Sequence, residues 1–470
     1  MPQPPAAIRV AEALAAHGHP LWLVGGSVRD ALTGRGGSDL DFTTDARPEA
    51  VLAATRGIVA TTWTTGIAFG TVGLLVDGEH CEVTTYRADR YDRVTRNPEV
   101  VFGESLTDDL RRRDFTMNAM AVRVSADPAQ REFVDPFGGL ADLARGLLRT
   151  PGDPDESFAD DPLRILRAAR FVSTLGVDLA PETRAAMTRL APELARITPE
   201  RVQVELSKLL LGEHPRRALE VLVDTGAADV VLPELPALRM AADEHGQHKD
   251  VYAHTLQVLE QAIDQEATYT GGEPDLVLRL AALLHDIGKP ATRRFESGGR
   301  VTFHHHEVVG QKMTRARLQA LRFPKDVVKD VGRLVFLHLR FYGYGRGEWT
   351  DSAVRRYVRD AEELLPRLSA LVRSDSTTRN RRKAATLAAT YDALEERIAV
   401  LAEQEELDAI RPDLDGHAIM QLLPDLRGRA IGEAYDHLLG LRLEHGPLGE
   451  ERAREELLAW WAARGTSPSA

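Results

Sequence analysis

Two glycines and two aspartates define the first chemistry open to this chain. In LVGGSVRDALTGRGGSDLDF, the apolar residues 21–24 suit a buried strand that stops at Gly25-Gly26. Ser27 opens a short helix. Its free amides and positive dipole end favour a phosphate beside Gly26 and Ser27, and Arg29 adds charge. Side chains alternate along a strand, which places Asp39 and Asp41 on one face and turns Leu40 and Phe42 to the core. Magnesium takes a few carboxylates together with phosphate oxygens. Two such ions activate an attacking hydroxyl and stabilise a leaving pyrophosphate. These are the parts needed for a nucleoside triphosphate and its magnesium, although a glycine turn followed by a solvated acidic strand end fits the same residues.

Two further constellations carry hydrogen-bonding chemistry. In RRRDFTMNAM, from residue 111, Arg113 suits triphosphate charge, and Asp114 and Asn118 suit a ribose hydroxyl. A salt-bridged helix start with Asp114 near its N-cap is the alternative. In Asp161-Pro162-Leu163-Arg164, proline fits a first helical turn, and the i,i+3 spacing brings aspartate and arginine onto neighbouring surface. Aspartate offers acceptors and arginine donors. Cytosine and adenine each present an amine donor beside a ring-nitrogen acceptor, so the pair would accept C and A and reject U and G. A plain ion pair remains the other reading.

The elements that position these residues divide by pattern. Residues 1–150 mix short β-rich runs (TVGLLVDG, CEVTTYRA, FTMNAMAVRV, REFVDPFGG) with a few helical stretches, an α+β domain. TPGDPDESFADDP, residues 150–162, reads as a connection. Beyond it the chain is almost entirely helical, with apolar residues at three- and four-residue intervals, interrupted by a glycine-rich hairpin near Glu296 and a loop over 342–350. The single cysteine, Cys81, excludes an intramolecular disulfide and a cysteine zinc cage and is expected in the core. A net charge of −12 argues against indiscriminate coating of nucleic acid, so RNA contact is expected in patches. The best candidate is Arg379, Arg381, Arg382 and Lys383. The chain has no apolar run of ~18 residues, and MPQPPAAIRV lacks the order of a cleaved leader, so a cytoplasmic protein without membrane contact is expected.

GGSVRD with DLDF, EVTTYR at 82–87, RRDFTMNA at 112–119, DPFGGLADL at 135–143, DDPLRILRAARF at 160–171 and ERVQVEL at 200–206 occur in this order. Together they resemble the class II tRNA nucleotidyltransferases, the CCA-adding family related to bacterial poly(A) polymerases. The resemblance implies a polymerase β-like α+β nucleotidyltransferase head over 1–150 and an all-α neck over 151–235. It implies Asp39 and Asp41 as magnesium ligands and Glu82 as a weaker third acid. Gly26, Arg29 and Arg113 would lie near the triphosphate and Asp114 would read the ribose. Asp161 and Arg164 would read the base, with Arg167 and Arg170 facing phosphate. DPFGGLADL would be a hinge and ERVQVEL a brace beneath the nucleotide. Asp160 departs from the family's usual glutamate. Partners implied are tRNA, ATP and CTP.

His254, the dipeptide His285-Asp286 in LLHDIGKP, His304-His305-His306, His338 and Asp375 resemble the ligand set of an HD phosphohydrolase. The resemblance implies an HD domain over 236–384 followed by a helical tail over 385–470, in which Trp460-Trp461 would pack. His254, His285, Asp286 and Asp375 would hold a divalent Mn, Ni, Co or Zn ion, with His306 and His338 at a second metal or phosphate and Lys289 on phosphate. The expected activity is CCA addition, with A addition, poly(A) synthesis, or an HD phosphohydrolase with a nucleotide-binding head as alternatives. The long segment between Glu82 and Arg113, which CC-adding relatives typically lack, favours synthesis of the final A. The oligomeric state is left open.

Overall fold

The computed structural model describes residues 3–36, 40–87, 102–103, 105–240, 250–296, 301–341, 350–377, 380–424 except 406–409, and 426–465. Asp39, the segment 88–101, Arg379, the hairpin tip 297–300 and the loop 342–349 therefore lie outside the described residues, as does the side chain of Lys383. The chain forms two compact units, Met1–Pro233 and Glu234–Ala470.

The first unit is built on a seven-stranded sheet ordered β3-β4-β5-β2-β1-β6-β7. The strands are β1 (Trp22–Val24), β2 (Leu40–Thr44), β3 (Thr61–Trp63), β4 (Thr71–Val76), β5 (Glu79–Thr85), β6 (Ala121–Arg123) and β7 (Phe133–Val134). β2 and β5 run parallel and the other neighbours antiparallel. Strict alternation sets the two faces: Val72, Leu74 and Val76 of β4 and Cys81 and Val83 of β5 are buried against helices Pro5–Ala15 and Pro48–Thr55. Thr71, Gly73, His80 and Glu82 occupy the opposite face.

One expectation about local structure is corrected, and one alternative is set aside. Residues 150–162 are not a plain connection, because they contain the helix Pro154–Asp160. The Asp153 carboxylate accepts the Asp155 amide at its start, proline follows, and Phe158 is fully buried. These are helix-start signals that the Pro, Gly and Asp content obscured. After Asp114 the chain makes only a single 3₁₀ turn, Thr116–Asn118, because it must enter β6 at Ala121 to pair with Val24. The helix Leu163–Leu175 then buries eight of its thirteen residues and leaves Arg164, Arg167 and Arg170, with Asp161 just before it, half-buried along one edge.

The second unit is helical. Helices Val251–Tyr269, Leu276–Leu284, Lys325–Leu337 and Leu365–Asp375 form its centre, with a small hairpin, Arg294–Phe295 against Val301–Thr302, at the expected glycine-rich position. A buried Arg279–Glu266 ion pair at 2.7 Å joins two of these helices. Helices Gly416–Leu422, Arg429–His445 and Glu450–Gly465 share a separate apolar cluster, against which Trp460 and Trp461 pack. No helix among the described residues is long and apolar enough to cross a membrane.

Two candidate active sites

Gly25 ends β1 with φ 71°, a conformation costly for a residue with a side chain. A Cβ there would also stand 3.1 Å from Arg113 Nη1 and 3.7 Å from Asp41 Oδ2. Bare backbone therefore lies close to both a guanidinium and a carboxylate, a setting that suits a phosphate oxygen with its cation. Asp41 lies in register with Glu82 on the adjacent parallel strand, so two carboxylates share the open face while Leu40 and Phe42 are buried. The Asp41 amide donates to Ser27 Oγ at 3.3 Å, which fixes β2 to the glycine turn. This acid pair and cradle fit a divalent metal held with a triphosphate.

A chain of hydrogen bonds orders the arginines. Arg29 Nη1 donates to Asn118 Oδ1 at 2.6 Å, and Asn118 Nδ2 donates to Asp114 Oδ1 at 2.9 Å. Asp114 Oδ1 also accepts the Phe115 amide, and Oδ2 accepts Arg167 Nε and Nη2 at 2.9 and 2.5 Å. Burial raises the Asp114 carboxyl, but the Arg167 charge and the Asn118 and Arg167 hydrogen bonds outweigh it and hold the group at about 2. Buried Glu205, from the ERVQVEL helix, lies 3.1 Å from Arg170 and 3.8 Å from Arg167. The guanidinium carbons of Arg29, Arg167 and Arg170 sit 5.2, 5.7 and 4.4 Å from the Phe171 ring centroid, within cation–π range.

Asp161 and Arg164 share a helix start but hold other partners. Asp161 Oδ1 accepts the Leu163 amide, and Oδ2 pairs with Arg201 at 3.0 Å. Arg164 donates to Ser157 Oγ at 2.7 Å and to the Arg112 carbonyl at 2.6 Å. Sequence reasoning missed Arg201 and, more importantly, Asp109. This fully buried carboxylate accepts from Arg112 Nε, Arg113 Nη2, Thr43 Oγ1 and the Arg87 amide. Burial opposes its ionisation, and the Arg113 and Arg112 charges prevail, holding its carboxyl below the usual range. Its i,i+3 and i,i+4 spacing to the two arginines was the available signal.

In the second unit, His254, His285, Asp286 and Asp375 converge. His254 Nε2 lies 3.0 Å from Asp375 Oδ1 and 3.6 Å from Asp286 Oδ2, and His254 Nδ1 lies 2.9 Å from Thr377 Oγ1. His285 Nε2 is 3.2 Å from Asp286 Oδ2 and 3.6 Å from Asp375 Oδ1. Asp286 Oδ1 faces His306 Nε2 at 3.3 Å. His254, His285 and Asp286 offer ligand atoms within 4.8 Å of one another, and so do Asp286, His306 and His338. Asp286 thus joins two candidate metal positions.

The backbone sets the tautomers. His285, His306 and His338 each direct Nδ1 at the carbonyl three residues earlier, at 2.8, 2.8 and 2.6 Å. Each Nε2 is left buried without a well-aligned hydrogen bond, those of His285 and His306 lying 3.2 and 3.3 Å from Asp286. Orphaned imidazole nitrogens facing ionised carboxylates are a donor set that fits a transition ion. Burial raises the Asp375 carboxyl, but the His254 hydrogen bond and the His285 charge bring it down to about 2. Burial, reinforced by charge on His285, pushes the His338 imidazole down to about 4, so it stays a neutral donor at pH 7. Lys289 Nζ lies 2.5 Å from Asp286 Oδ2.

An acid-bearing mixed sheet beside an arginine cluster, and a histidine–aspartate centre on a separate helical unit, define a nucleotidyltransferase joined to an HD domain. Residues 21–149 match the poly A polymerase head domain, 176–238 the probable RNA and SrmB-binding site of polymerase A, and 251–380 the HD domain. The A-adding tRNA nucleotidyltransferase of Deinococcus radiodurans is 34% identical over 94% of this chain and 95% of its own length. The chain belongs to the tRNA nucleotidyltransferase family. The CCA-adding enzyme of Anoxybacillus flavithermus is 44% identical, and the match spans about half of each protein, 49% of this chain and 55% of the other. The crystal structure of the Bacillus stearothermophilus CCA-adding enzyme in complex with CTP superimposes with a TM-score of 0.69 at 28% identity, covering 98% of this chain and 99% of that one.

Proposed function

We propose that this chain adds C and A, from CTP and ATP, to the 3′ end of tRNA by metal-dependent transfer to the 3′ hydroxyl, with release of pyrophosphate. The observation that carries the reading is the bare backbone at Gly25, where a Cβ would meet both Arg113 and Asp41. Asp41, with Asp39 and in part Glu82, would hold magnesium, which supplies charge for the attacking hydroxyl and the leaving phosphates. Arg113 and Arg29 neutralise the triphosphate, and Asp109 keeps Arg113 aimed. Asp114 and Asn118 take the ribose. Asp161 and Arg164 read the base, held in place by Arg201 and Ser157, while Arg167 and Arg170 face phosphate.

Full CCA addition is supported by the 44% identity of the CCA-adding relative over its aligned half and by the likeness to the CTP-bound enzyme. A second reading, addition of only the final A, is favoured by the Deinococcus relative, whose match covers nearly both chains. tRNA ending before C74, after C75, or mature, given labelled CTP, ATP, UTP and GTP separately and together, separates the two. Extension by CCA from the shortest end supports the first reading. Extension only after C75 supports the second, and open-ended A addition overturns both. Exchange of Asp161 or Arg164 is expected to admit UTP and GTP, read in the same assay. Retained selectivity would remove these residues from base reading.

We also infer that the second unit hydrolyses a phosphoester. His254, His285, Asp286 and Asp375 would hold one Mn, Ni, Co or Zn ion, and Asp286, His306 and His338 a second. A metal held there would supply Lewis acidity to activate water for attack on phosphorus. Lys289 orients Asp286 and brings positive charge to the phosphate side. Supplying each metal to protein stripped by chelator, with 2′,3′-cyclic nucleotide or 3′-phosphorylated RNA as substrate, tests the reading. Hydrolysis that returns with metal supports it, and no hydrolysis with any of the four removes it.

A further inference from the structure

Cross-strand pairing places Asp41, Glu82, Gly73 and Trp63 in one row on β2, β5, β4 and β3. In-register neighbours point to the same face, so the row runs from the proposed metal carboxylates to an aromatic ring on the edge strand. Three inter-strand steps of about 4.8 Å separate its ends by roughly 14 Å. Gly73 makes room for the ring, since a Cβ there would stand 3.0 Å from Trp63 Cε3. His80 stacks on Trp63 with centroids 5.1 Å apart and planes 14° from parallel. The indole is therefore held flat although it is 39% exposed, and Phe69 beside it is 49% exposed. Both line a cavity of about 530 Å³ whose wall also includes Glu82 and Arg87.

A fixed, half-exposed indole with a second exposed ring is unusual beside carboxylates on a strongly acidic chain unless something flat covers it. Core packing does not account for it, because the main apolar core lies on the other side of this sheet and the smaller cluster on this face, around Trp22, Val24, Tyr86 and Leu110, includes neither Trp63 nor Phe69. We propose that Trp63, held by His80 and Gly73, is the stacking platform for the terminal or penultimate base of the RNA acceptor strand, presenting its 3′ hydroxyl to Asp41. The inference rests on the transfer reaction proposed above. Base–aromatic stacking is indifferent to base identity, which suits an end whose last base changes with each addition. Arg87 supplies a cation for the connecting phosphate. Trp63 is a positioning residue, one that sets where the hydroxyl lies and takes no part in bond making.

The test uses full-length protein and an acceptor-stem RNA carrying 2-aminopurine, or an abasic residue, at the last or the penultimate position. In Trp63→Ala the KM for RNA should rise roughly 10- to 100-fold, while the KM for CTP and ATP stays unchanged, and Trp63→Phe should restore most of the loss. For the wild type, the abasic RNA should bind more weakly by a similar factor, with no further loss on combining it with Trp63→Ala. Aminopurine fluorescence should be quenched by the wild type without added nucleotide and recover in Trp63→Ala. An unchanged RNA KM, a rise in the nucleotide KM instead, or abasic and alanine losses that multiply would each overturn the platform. The abasic and aminopurine measurements on wild type need no variant to fold. Quenching needs no turnover, so quenching without extension overturns the transfer reaction and not the platform, whereas extension without quenching does the reverse.

Discussion

The two sites solve opposite electrostatic problems. In the head, the buried charges are already paired: Asp109 holds Arg112 and Arg113, Asp114 holds Arg167, and Glu205 faces Arg170. The carboxylate face of Asp41 and Glu82 is more open, with Asp41 half-buried and Glu82 exposed. In the HD unit the backbone carbonyls take each Nδ1, and three Nε2 atoms are left buried near Asp286 and Asp375 without a well-aligned hydrogen bond. A network that satisfies itself keeps its shape without ligand, whereas orphaned acceptors gain most from a bound cation. The head is therefore ordered by ion pairs, and the HD centre by hydrogen bonds to backbone carbonyls.

The sharpest way to break this comparison is Asp41→Ala. Incorporation of CTP and ATP into end-trimmed tRNA should fall by more than about 10³-fold, since the proposed metal carboxylate is lost, while metal bound to the HD unit stays the same by elemental analysis. Unchanged incorporation would sink the head assignment. Arg167→Ala comes next. It leaves Asp114 buried without its principal cation and should destabilise the first unit by roughly 3–5 kcal/mol, read as a lowered midpoint for that unit in denaturant. A head that is as stable without Arg167 would mean that its ion pairs are not what holds it.

Asp286→Asn sharpens the other side. Transition-metal affinity should drop at least about 100-fold because both candidate positions share this carboxylate, with nucleotidyl transfer little changed; undiminished metal content would contradict the bridging geometry. Acid provides the smallest effect. Asp114 is depressed in the folded state to about 2, so its stabilisation is full above the unfolded value near 4 and is lost as pH falls through the window from about 4 to 2. The contribution is on the order of 2 kcal/mol. Asp114→Asn should flatten the acid limb of the stability curve in that window, and an identical limb would show that other carboxylates dominate.

Legibility followed the range of each interaction. The strand that carries Asp41, its alternation with Leu40 and Phe42, the glycine turn, the buried Cys81 and the hairpin near Glu296 all follow from neighbours within a few residues. The helix Pro154–Asp160 also has local start signals, but its Pro, Gly and Asp content is equally that of a loop. The Asp161–Arg201 pair spans 40 residues and the Asp109–Thr43 bond spans 66, and no periodicity announces such distances. Lys289 was expected on phosphate, and its short contact with Asp286 appears only once the helix that follows the dipeptide is folded.

The sequence by itself determined which chemistries were present: acids on one strand face, arginines at three-residue steps, and histidines with aspartates at helix ends. These are properties of residue type and of the fixed periods of strand and helix. Only the tertiary structure decided which charge each arginine meets, which imidazole nitrogen is left bare, and that Trp63 shares a row with Asp41. Those choices depend on strand register and helix packing between residues far apart in the chain, where geometry in three dimensions selects the partner.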